Sequence, residues 1–354
     1  MSTYLRRLLS NDTPRSRVLT LLLAAVLLGL LFAPFIFPGA KALSVAAKIA
    51  TFIVLAASYD LLLGYTGIVS FAHTMFFGIG AYGVAIAMSK WGVSAAALLG
   101  GIAAAVGVSL VLALAIGLFS LRVRAIFFAM ITLAVATAFS TLASQLSELT
   151  GGEDGLSFKL PELLAPSTQF FDEPFLGASI DGRLLTYYLI VFAALILFLL
   201  LLRIVNSPFG RVLQAIRENE FRAEALGYRV VVYRTLSTVL SALFATLAGV
   251  LLALWLRYNG PDTSLSFEIM LDVLLIVVIG GMGTLYGAAL GATLFVLAQS
   301  YLQELLKLAG GAVASVPVLN VLVAADRWLL WLGVLFILCV YFFPTGIVGR
   351  LRGK

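Results

Sequence analysis

The segment SPFGRVLQAIRENEFRAEALGY (207–228) lies between two apolar runs, LLTYYLIVFAALILFLLLLRIV (184–205) and VYRTLSTVLSALFATLAGVLLALWL (232–256). Each run is long enough to cross a bilayer as a helix, which takes about 20 residues. Between Arg203 and Arg234 the chain has six arginines and three glutamates, whereas charges are sparse elsewhere. This arrangement predicts a structured loop at a membrane surface that contacts a soluble partner.

The composition is that of a helical membrane protein. The 354 residues are 62% hydrophobic and 11% charged, with a mean hydropathy of +1.09, whereas a soluble domain has about 25% charged residues. The alternating pattern of a membrane barrel is absent. The single cysteine, Cys339, and the single histidine, His73, exclude a disulfide framework or a multi-histidine metal centre within one chain. We therefore expect no metal site and no catalytic residues.

Apolar runs predict an all-α bundle of about ten transmembrane helices, with short or broken helices near its centre. The predicted spans are 18–37, 42–63, 77–89, 94–119, 125–146, 184–205, 232–256, 268–281, 285–307 and 328–343. Residues 18–37 follow four arginines as a signal sequence would, but about 20 apolar residues favour a retained first span. The predicted transmembrane domain is 18–349, between an N-terminal segment (1–17) and a tail (350–354).

Charge asymmetry predicts the orientation of the bundle. Basic residues cluster at both ends of the chain, at Arg122 and Arg124, and in the central loop, whereas the segment 147–183 has seven acids against Lys159 and Arg183. The terminal basic residues are Arg6, Arg7, Arg15, Arg17, Arg350, Arg352 and Lys354. By the positive-inside rule, both termini and the helices of 206–229 are cytoplasmic, and 147–183 is periplasmic. The net charge of +6 then reflects topology, and we expect no nucleic-acid partner.

Two predicted spans, 77–89 and 268–281, are short and adjoin glycine-rich stretches. Irregular backbone at membrane depth is tolerated only when it is buried in protein or faces water, so broken helices in both halves of a transporter indicate a central path. Close helix packing by small residues is the alternative. The glycines concerned are Gly64, Gly67, Gly280, Gly283, Gly287 and Gly291.

The central loop has local signals for two short helices. Ser207 and Pro208 occupy an N-cap and a first helical position, and the first helix is expected to end near Arg217. Asn219 can cap the second helix, and Gly227 can take the left-handed position after it. An ordinary amphipathic loop at the membrane interface is the alternative interpretation.

The loop resembles a known docking motif. Glu224-Ala225-Leu226-Gly227 is similar to a degenerate form of the EAA–Gly loop, by which ABC importer permeases dock on their ATPase subunits. The whole string 207–228 resembles the version in LivM-type branched-chain amino acid permeases. Four further strings resemble the same family, and all five occur along the chain in the same order as in the family. They are LLLGYTGIVSFAHTMFFGIGAY (61–82), TGGEDGL (150–156), IGGMGTLYGAALGA (279–292) and FFPTGIVG (342–349).

The resemblance implies a permease subunit in a bacterial inner membrane. Such a subunit pairs with a LivH-like second permease, two ABC ATPases and a periplasmic substrate-binding protein, and imports branched-chain amino acids. The chain has no Walker A pattern, so ATP and Mg are expected on the partner ATPases and this chain is not expected to be an enzyme. The residues expected to couple to the ATPases are Arg217, Glu218, Asn219, Phe221, Arg222, Glu224, Ala225, Leu226 and Gly227.

Candidate residues of the translocation path are Tyr65, Ser70, His73, Thr74, Asp272, Gly281 and Thr284. His73 is either a substrate contact or a structural hydrogen-bonding residue. An ionisable residue within a span is a functional hypothesis by default, but Asp272 also suits a helix end near the outer interface. Two residues depart from the family pattern: Asp60 stands where Asn is frequent, and Ala72 where Gly is frequent.

The sequence is compatible with other functions. The same architecture could import urea, short amides, or aromatic and other carboxylates. An ion-coupled secondary transporter or channel would need coupling carboxylates, for which only Asp60 and Asp272 are candidates, and it leaves the structured loop unexplained. A membrane-embedded enzyme would have little catalytic chemistry available in this chain.

Overall fold

A computed structural model describes residues 16–37, 39–119, 125–170, 180–312 and 325–351. The helices are α1 (Arg17–Ile36), α2 (Ala40–Asp60), a π-helical turn (Leu61–Thr66), α3 (His73–Lys90), α4 (Ala95–Phe119), α5 (Ala125–Gln145), α6 (Ser147–Thr150), α7 (Gly182–Val205), α8 (Pro208–Glu218), α9 (Glu220–Ala225), α10 (Val230–Leu256), α11 (Pro261–Ser264), α12 (Phe267–Gly280), α13 (Leu285–Ala312), α14 (Trp328–Phe342) and α15 (Gly346–Leu351). Two short strands, β1 (Leu156–Ser157) and β2 (Tyr258–Asn259), and 3₁₀ turns at Gly152–Asp154, Glu162–Leu164 and Ala325–Arg327 complete the described elements.

The predicted all-α membrane fold is confirmed. Each of the ten predicted spans coincides with a helix, and nine helices of the described ranges are long and apolar enough to cross a membrane. The tenth, α3, has 18 residues and contains His73 and Lys90. Almost all of its other side chains are buried by neighbouring helices, so it needs little apolar surface of its own.

The helices form an inner and an outer layer. Over an 18-residue stretch, 78% of the residues of α10 are buried, against 17% of those of α1 and of the span Trp328–Leu351, which contains α14 and α15. The inner layer consists of α2, α3, α10, α12 and α13, with α10 packed against α2 and α3, and α13 packed against α2 and α12. Large apolar side chains such as Leu21 and Ile126 are exposed on the outer helices, as expected for residues in contact with lipid.

The two ends of the bundle differ in charge. Residues 147–170 and β2 lie at one end, called here the acidic face, where β1 pairs with β2 in antiparallel register. The helices α8 and α9 lie at the other end, called here the basic face. Helix α7 connects the two faces, and its 24 residues span about 36 Å at 1.5 Å per residue.

The assignment of the basic face to the cytoplasm stays a prediction, as do the domain limits 1–17, 18–349 and 350–354. Some of the charges on which it depends fall outside the described residues. They are Arg6, Arg7, Arg15, Arg122, Arg124, Asp172, Glu173, Arg352 and Lys354.

Close approach of α12 and α13 depends on the absence of side chains at three glycines. A Cβ at Gly287 would lie 2.7 Å from the Gly280 carbonyl oxygen, and a Cβ at Gly280 would collide with the Gly287 carbonyl. At Gly291 a Cβ would meet the Ile276 carbonyl. The packing interpretation of this glycine row therefore has a direct structural basis.

We expect Gly280→Ala to destabilise the protein by about 1–3 kcal/mol, because the added methyl group forces two helix backbones apart. Gly107→Ala in α4 is the matched control: a Cβ there has no neighbour within 4 Å, so the variant should be neutral or stabilised by up to about 1 kcal/mol through helix propensity. The measurement is the thermal unfolding midpoint of each purified variant in detergent. Equal midpoints for the two variants would contradict the packing argument.

Candidate functional site

Two breaks in the inner helices lie against each other. The first follows α2, where the π-helical turn ends at Gly67 with φ 75° and α3 begins only at His73. The second separates α12 from α13, where Gly281 and Gly283 have φ values of 115° and 80°. Backbone angles in this region favour glycine, which explains why both breaks occur in glycine-rich sequence. The predicted broken helices are therefore confirmed at both positions.

Asp60 joins the two breaks. Its side chain is fully buried, and the Gly283 amide donates a hydrogen bond of 2.8 Å to Asp60 Oδ1. The other oxygen, Oδ2, is buried and has no hydrogen-bond partner among the described residues. An asparagine could accept the same bond from Gly283 through its side-chain oxygen.

Arg217, at the end of α8, also contacts both breaks. Its Nη1 atom donates a hydrogen bond to the Gly64 carbonyl oxygen, and a Cβ on Gly283 would lie 3.0 Å from the same nitrogen. The guanidinium group also interacts electrostatically with Asp60. The prediction that Arg217 couples to the ATPases is untested. Arg217 is an exposed residue, but this geometry directs its guanidinium group toward the bundle. Sequence reasoning missed the contact because 153 residues separate Arg217 from Gly64.

Residues 207–228, called here the knob, adopt the two predicted helices, α8 and α9. Ser207 is extended and Pro208 occupies the first turn of α8, although the Ser207 hydroxyl bonds to the Ile204 carbonyl at 2.6 Å and does not cap the helix. Asn219 Oδ1 accepts a hydrogen bond of 2.9 Å from the Arg222 amide, as a cap of α9. Gly227 has φ 90°, the left-handed conformation that was predicted.

The inner side of the knob is anchored to the bundle. Leu213 and Ile216 are buried, as the amphipathic pattern of α8 requires. Glu220 forms a two-bond ion pair with Arg234 of α10, at 2.7 and 2.9 Å. Because α10 is the most buried of the candidate spans, this pair ties the knob to the inner layer.

The outer side of the knob exposes large apolar side chains among charges. Phe221, on α9, is 84% exposed, and Leu226, directly after α9, is 71% exposed. The other predicted coupling residues on this surface are also exposed: Glu218, Asn219, Arg222, Glu224, Ala225 and Gly227. An exposed apolar patch with a polar rim is typical of a protein-binding surface.

Most of the predicted path residues are buried near the helix breaks. Tyr65, Ser70, His73 and Thr74 are each at most 5% exposed. His73 Nε2 lies 2.9 Å from Ser58 Oγ and 3.3 Å from the Leu55 carbonyl oxygen, so it connects the start of α3 to α2. The Thr284 hydroxyl donates to the Gly281 carbonyl at 2.7 Å. These contacts favour the structural interpretation of His73 and Thr284 over a substrate contact.

Asp272 lies apart from the other path residues. It lines a cavity near the acidic face together with Lys48 and Gln299, and the Gln299 amide donates a hydrogen bond of 3.2 Å to Asp272 Oδ2. The sequence did not single out Lys48 or Gln299, because a lone lysine and a lone glutamine in apolar helices have no motif of their own. Among the described residues, no group of three or more His, Cys, Asp or Glu side chains could hold a metal ion.

An apolar bundle with two apposed helix breaks at its centre, and an exposed knob at one end, defines the class of multi-pass membrane permeases. Residues 41–342 match the family described as "Branched-chain amino acid transport system / permease component". The chain belongs to this family, and its resemblance to LivM-type permeases is confirmed.

Several curated relatives are also named as permeases of branched-chain amino acid transport. The chain is 28% identical over 269 residues to the high-affinity branched-chain amino acid transport system permease protein LivM of Salmonella typhimurium and to that of Escherichia coli. Those alignments cover 72% of this chain and 61% of each relative. The corresponding protein BraD of Pseudomonas aeruginosa is 26% identical over 305 residues, which are 85% of this chain and 92% of BraD. No solved structure matches the chain.

We expect Asp60→Ala to destabilise the protein by about 1–3 kcal/mol, because it leaves the partly buried Gly283 amide without an acceptor. Asp60→Asn preserves the acceptor and should stay within about 1 kcal/mol of the parent protein. Asp154→Ala, which alters an exposed side chain, is the control. Thermal unfolding midpoints in detergent measure all three, and an Asp60→Ala protein as stable as Asp60→Asn would rule out the hydrogen bond as the link.

Proposed function

We propose that this chain is the permease subunit of an ATP-binding cassette importer, and that the knob is its docking site for ATPase subunits. The observation that carries the proposal is the exposure of Phe221 and Leu226 on a knob whose inner side is anchored to both helix breaks. Such a knob offers an apolar surface to a soluble partner and a mechanical connection to the membrane core.

Transport follows from movement of the knob in this proposal. Two ATPases, which bind ATP and Mg, close on each other and displace the docked knobs of the permeases. Arg217 transmits the displacement to Gly64, and the Asp60–Gly283 hydrogen bond transmits it to the second break. Rigid-body rotation of the inner helices then exposes the path to each side in turn. This chain supplies the path and the connection, with no catalytic step of its own.

The proposed substrates are branched-chain amino acids, which would move from the periplasm to the cytoplasm across the bacterial inner membrane. The family description and the names of three curated relatives support the substrate class. The partners would be a LivH-like second permease and a periplasmic binding protein in addition to the ATPases. Both termini and the knob would be cytoplasmic, as the basic charges of the sequence predict.

The structure gives little support to the second class of function, an ion-coupled transporter or channel. Asp60 Oδ1 accepts from the Gly283 amide, and the carboxyl group interacts electrostatically with Arg217, so Asp60 has a structural role. An exposed apolar knob has no role in a transporter that works alone. Uptake of urea, amides or other carboxylates by the same architecture is an alternative that substrate assays decide.

Docking predicts that Leu226→Asp lowers the recovery of ATPase subunits with the tagged chain, because a charge replaces a central apolar contact. Loss of such a contact costs about 2 kcal/mol or more, which is roughly a 30-fold change in affinity. Leu163→Asp at the acidic face is the control, since Leu163 is similarly exposed, at 66%. The measurement is the ratio of ATPase to permease in pull-downs from mild detergent. Normal recovery with Leu226→Asp would refute the docking role.

Coupling predicts a different result for Arg217→Ala. The ATPases should remain bound, whereas substrate uptake should fall about tenfold, because the connection from the knob to Gly64 loses a charge-assisted hydrogen bond. Arg211→Ala, on the exposed surface of the same helix, should leave uptake unchanged. Uptake by reconstituted vesicles, measured together with subunit recovery, checks both statements. An Arg217→Ala transporter with normal uptake would exclude Arg217 from the connection.

A further inference from the structure

A cavity of about 490 Å³ lies between α2, α10, α12 and α13 near the acidic face. Its volume falls in the range of small-molecule sites, which is about 300–1,000 Å³. The walls combine apolar side chains, including Phe52, Leu252 and Trp255, with charged ones. The charged side chains that line the cavity are Lys41, Lys48, Asp262, Glu268 and Asp272. Apolar walls with a few converging polar groups are the usual composition of a ligand site.

Three side chains from three helices form a chain of hydrogen bonds in this cavity. Lys48 Nζ of α2 donates to Gln299 Oε1 of α13 at 2.8 Å. Gln299 Nε2 donates to Asp272 Oδ2 of α12 at 3.2 Å. A neutral amide therefore stands between two opposite charges, and within the described part of the chain no direct ion pair joins Lys48 to Asp272.

Lys48 has unused capacity to bind an anion. An ammonium group has three N–H donors, and among the described residues the bond to Gln299 is the only hydrogen bond that Lys48 makes. Its Nζ atom also lies 5.2 Å from the centre of the Phe52 ring. Charged side chains in membrane-spanning helices are costly and commonly mark a substrate route. A separated pair of opposite charges thus needs a function beyond stability.

We propose that Lys48 and Asp272 bind the head group of a zwitterionic amino acid, with the Gln299 amide holding the two side chains in place when the site is empty. The substrate carboxylate would accept from Lys48, and the substrate ammonium would donate to Asp272. The proposal rests on the proposed function, because it assigns the substrate class to a cavity near the face where a periplasmic binding protein would deliver its ligand.

The chemistry of the Gln299 amide supports this assignment. The amide presents one acceptor to Lys48 and one donor to Asp272, and an amino-acid head group presents the same two functions as full charges. Each bond to the Gln299 amide has one ionised partner. A bond to the head group has two ionised partners and adds the attraction between opposite charges, so the head group can replace the amide. The zwitterion is neutral overall and leaves the net charge of the cavity unchanged. Its aliphatic side chain would contact the apolar walls.

The same geometry discriminates between substrate classes. An amine without a carboxylate leaves Lys48 without a charged partner, and a carboxylate without an ammonium leaves Asp272 without one. Urea is uncharged, so its hydrogen bonds to Lys48 and Asp272 would be of the same kind as those that the Gln299 amide already forms. The cavity therefore favours amino acids over the urea, amide and carboxylate substrates that the sequence left open.

The first test replaces each charge in the complete transporter, purified from native membranes through a tag on this chain and reconstituted with its binding protein. Lys48→Gln and Asp272→Asn should each lower leucine uptake by about 10- to 100-fold, because each removes a charged hydrogen-bonding partner of the substrate. Lys48→Arg and Asp272→Glu should restore part of the uptake, since the charges return. Subunit recovery in the pull-down shows that each variant assembles.

The neighbouring ion pair provides matched controls. Lys41 and Glu304 form an ion pair between α2 and α13, the same two helices that the Lys48–Gln299 bond joins. Glu304→Gln and Glu304→Ala remove this contact from the side that does not line the cavity, and both should leave uptake unchanged. Equal losses in the controls and in the site variants would mean that both pairs only hold the helices together, and would overturn the proposal.

A second test uses the unmodified complex without the binding protein, so that it does not depend on the folding of any variant. Leucine should raise the thermal unfolding midpoint of the complex. The single-charge analogues 3-methylbutylamine and 4-methylpentanoate should raise it much less, because each leaves one charged side chain unmatched. Equal stabilisation by an analogue would contradict the head-group site.

The outcomes separate this proposal from the proposed function. A parent transporter that carries another solute and not leucine would contradict the proposed substrate. A parent transporter that imports leucine, with Lys48→Gln and Asp272→Asn importing it equally well, would contradict the head-group site alone.

Discussion

The structure depends on how two helix breaks satisfy their backbone groups at membrane depth. A broken helix leaves amides and carbonyls without intrahelical partners, and hydrocarbon offers none. Here the Asp60 carboxylate accepts from the Gly283 amide, and Arg217 donates to the Gly64 carbonyl. Each break thereby receives a side chain from another part of the chain, so the breaks hold each other in position. The inner helices, and the knob attached through Arg217, follow from this constraint.

Burial makes these contacts strong and their loss costly. Asp60 is completely buried, and a carboxylate removed from water needs both hydrogen bonds and an opposite charge nearby. The Gly283 amide and the Arg217 guanidinium meet these needs in part, since Oδ2 has no hydrogen-bond partner among the described residues. A group at the surface of the protein, on the short helix α8, therefore contributes to the electrostatics of the core. The proposed coupling to ATPases uses this physical connection between surface and core.

Polar groups are distributed unevenly along the bundle. Near the acidic face, Lys48 and Asp272 place full charges in a cavity with apolar walls. Around the breaks, His73, Ser58 and Thr284 are engaged in hydrogen bonds within the protein. In the proposed transport cycle, a substrate first meets matched charges and then glycine-opened backbone with weakly polar side chains. An affinity for the substrate that decreases along the path favours release, because a tightly bound substrate would leave slowly.

The local features of the fold were predictable from sequence. Apolar runs of about 20 residues predict spans because the bilayer sets their length, and glycine-rich junctions predict breaks because only glycine adopts their backbone angles readily. Asn219 and Gly227 delimit α9 through contacts with residues close to them in the chain. Phe221 and Leu226 were expected at the coupling surface from the resemblance to LivM-type permeases, and both are exposed.

The contacts that define the candidate sites were decided only by the tertiary structure. Asp60 meets Gly283 across 223 residues, Arg217 meets Gly64 across 153, and Lys48 meets Gln299 across 251. No local pattern encodes such pairs, since they depend on the rotation and register of packed helices. The sequence by itself determined a multi-pass bundle with a surface knob, because hydrophobic length, caps and glycines act locally. Packing of α2 against α12 and α13 decided which charges share a cavity and which side chain connects the knob to the core.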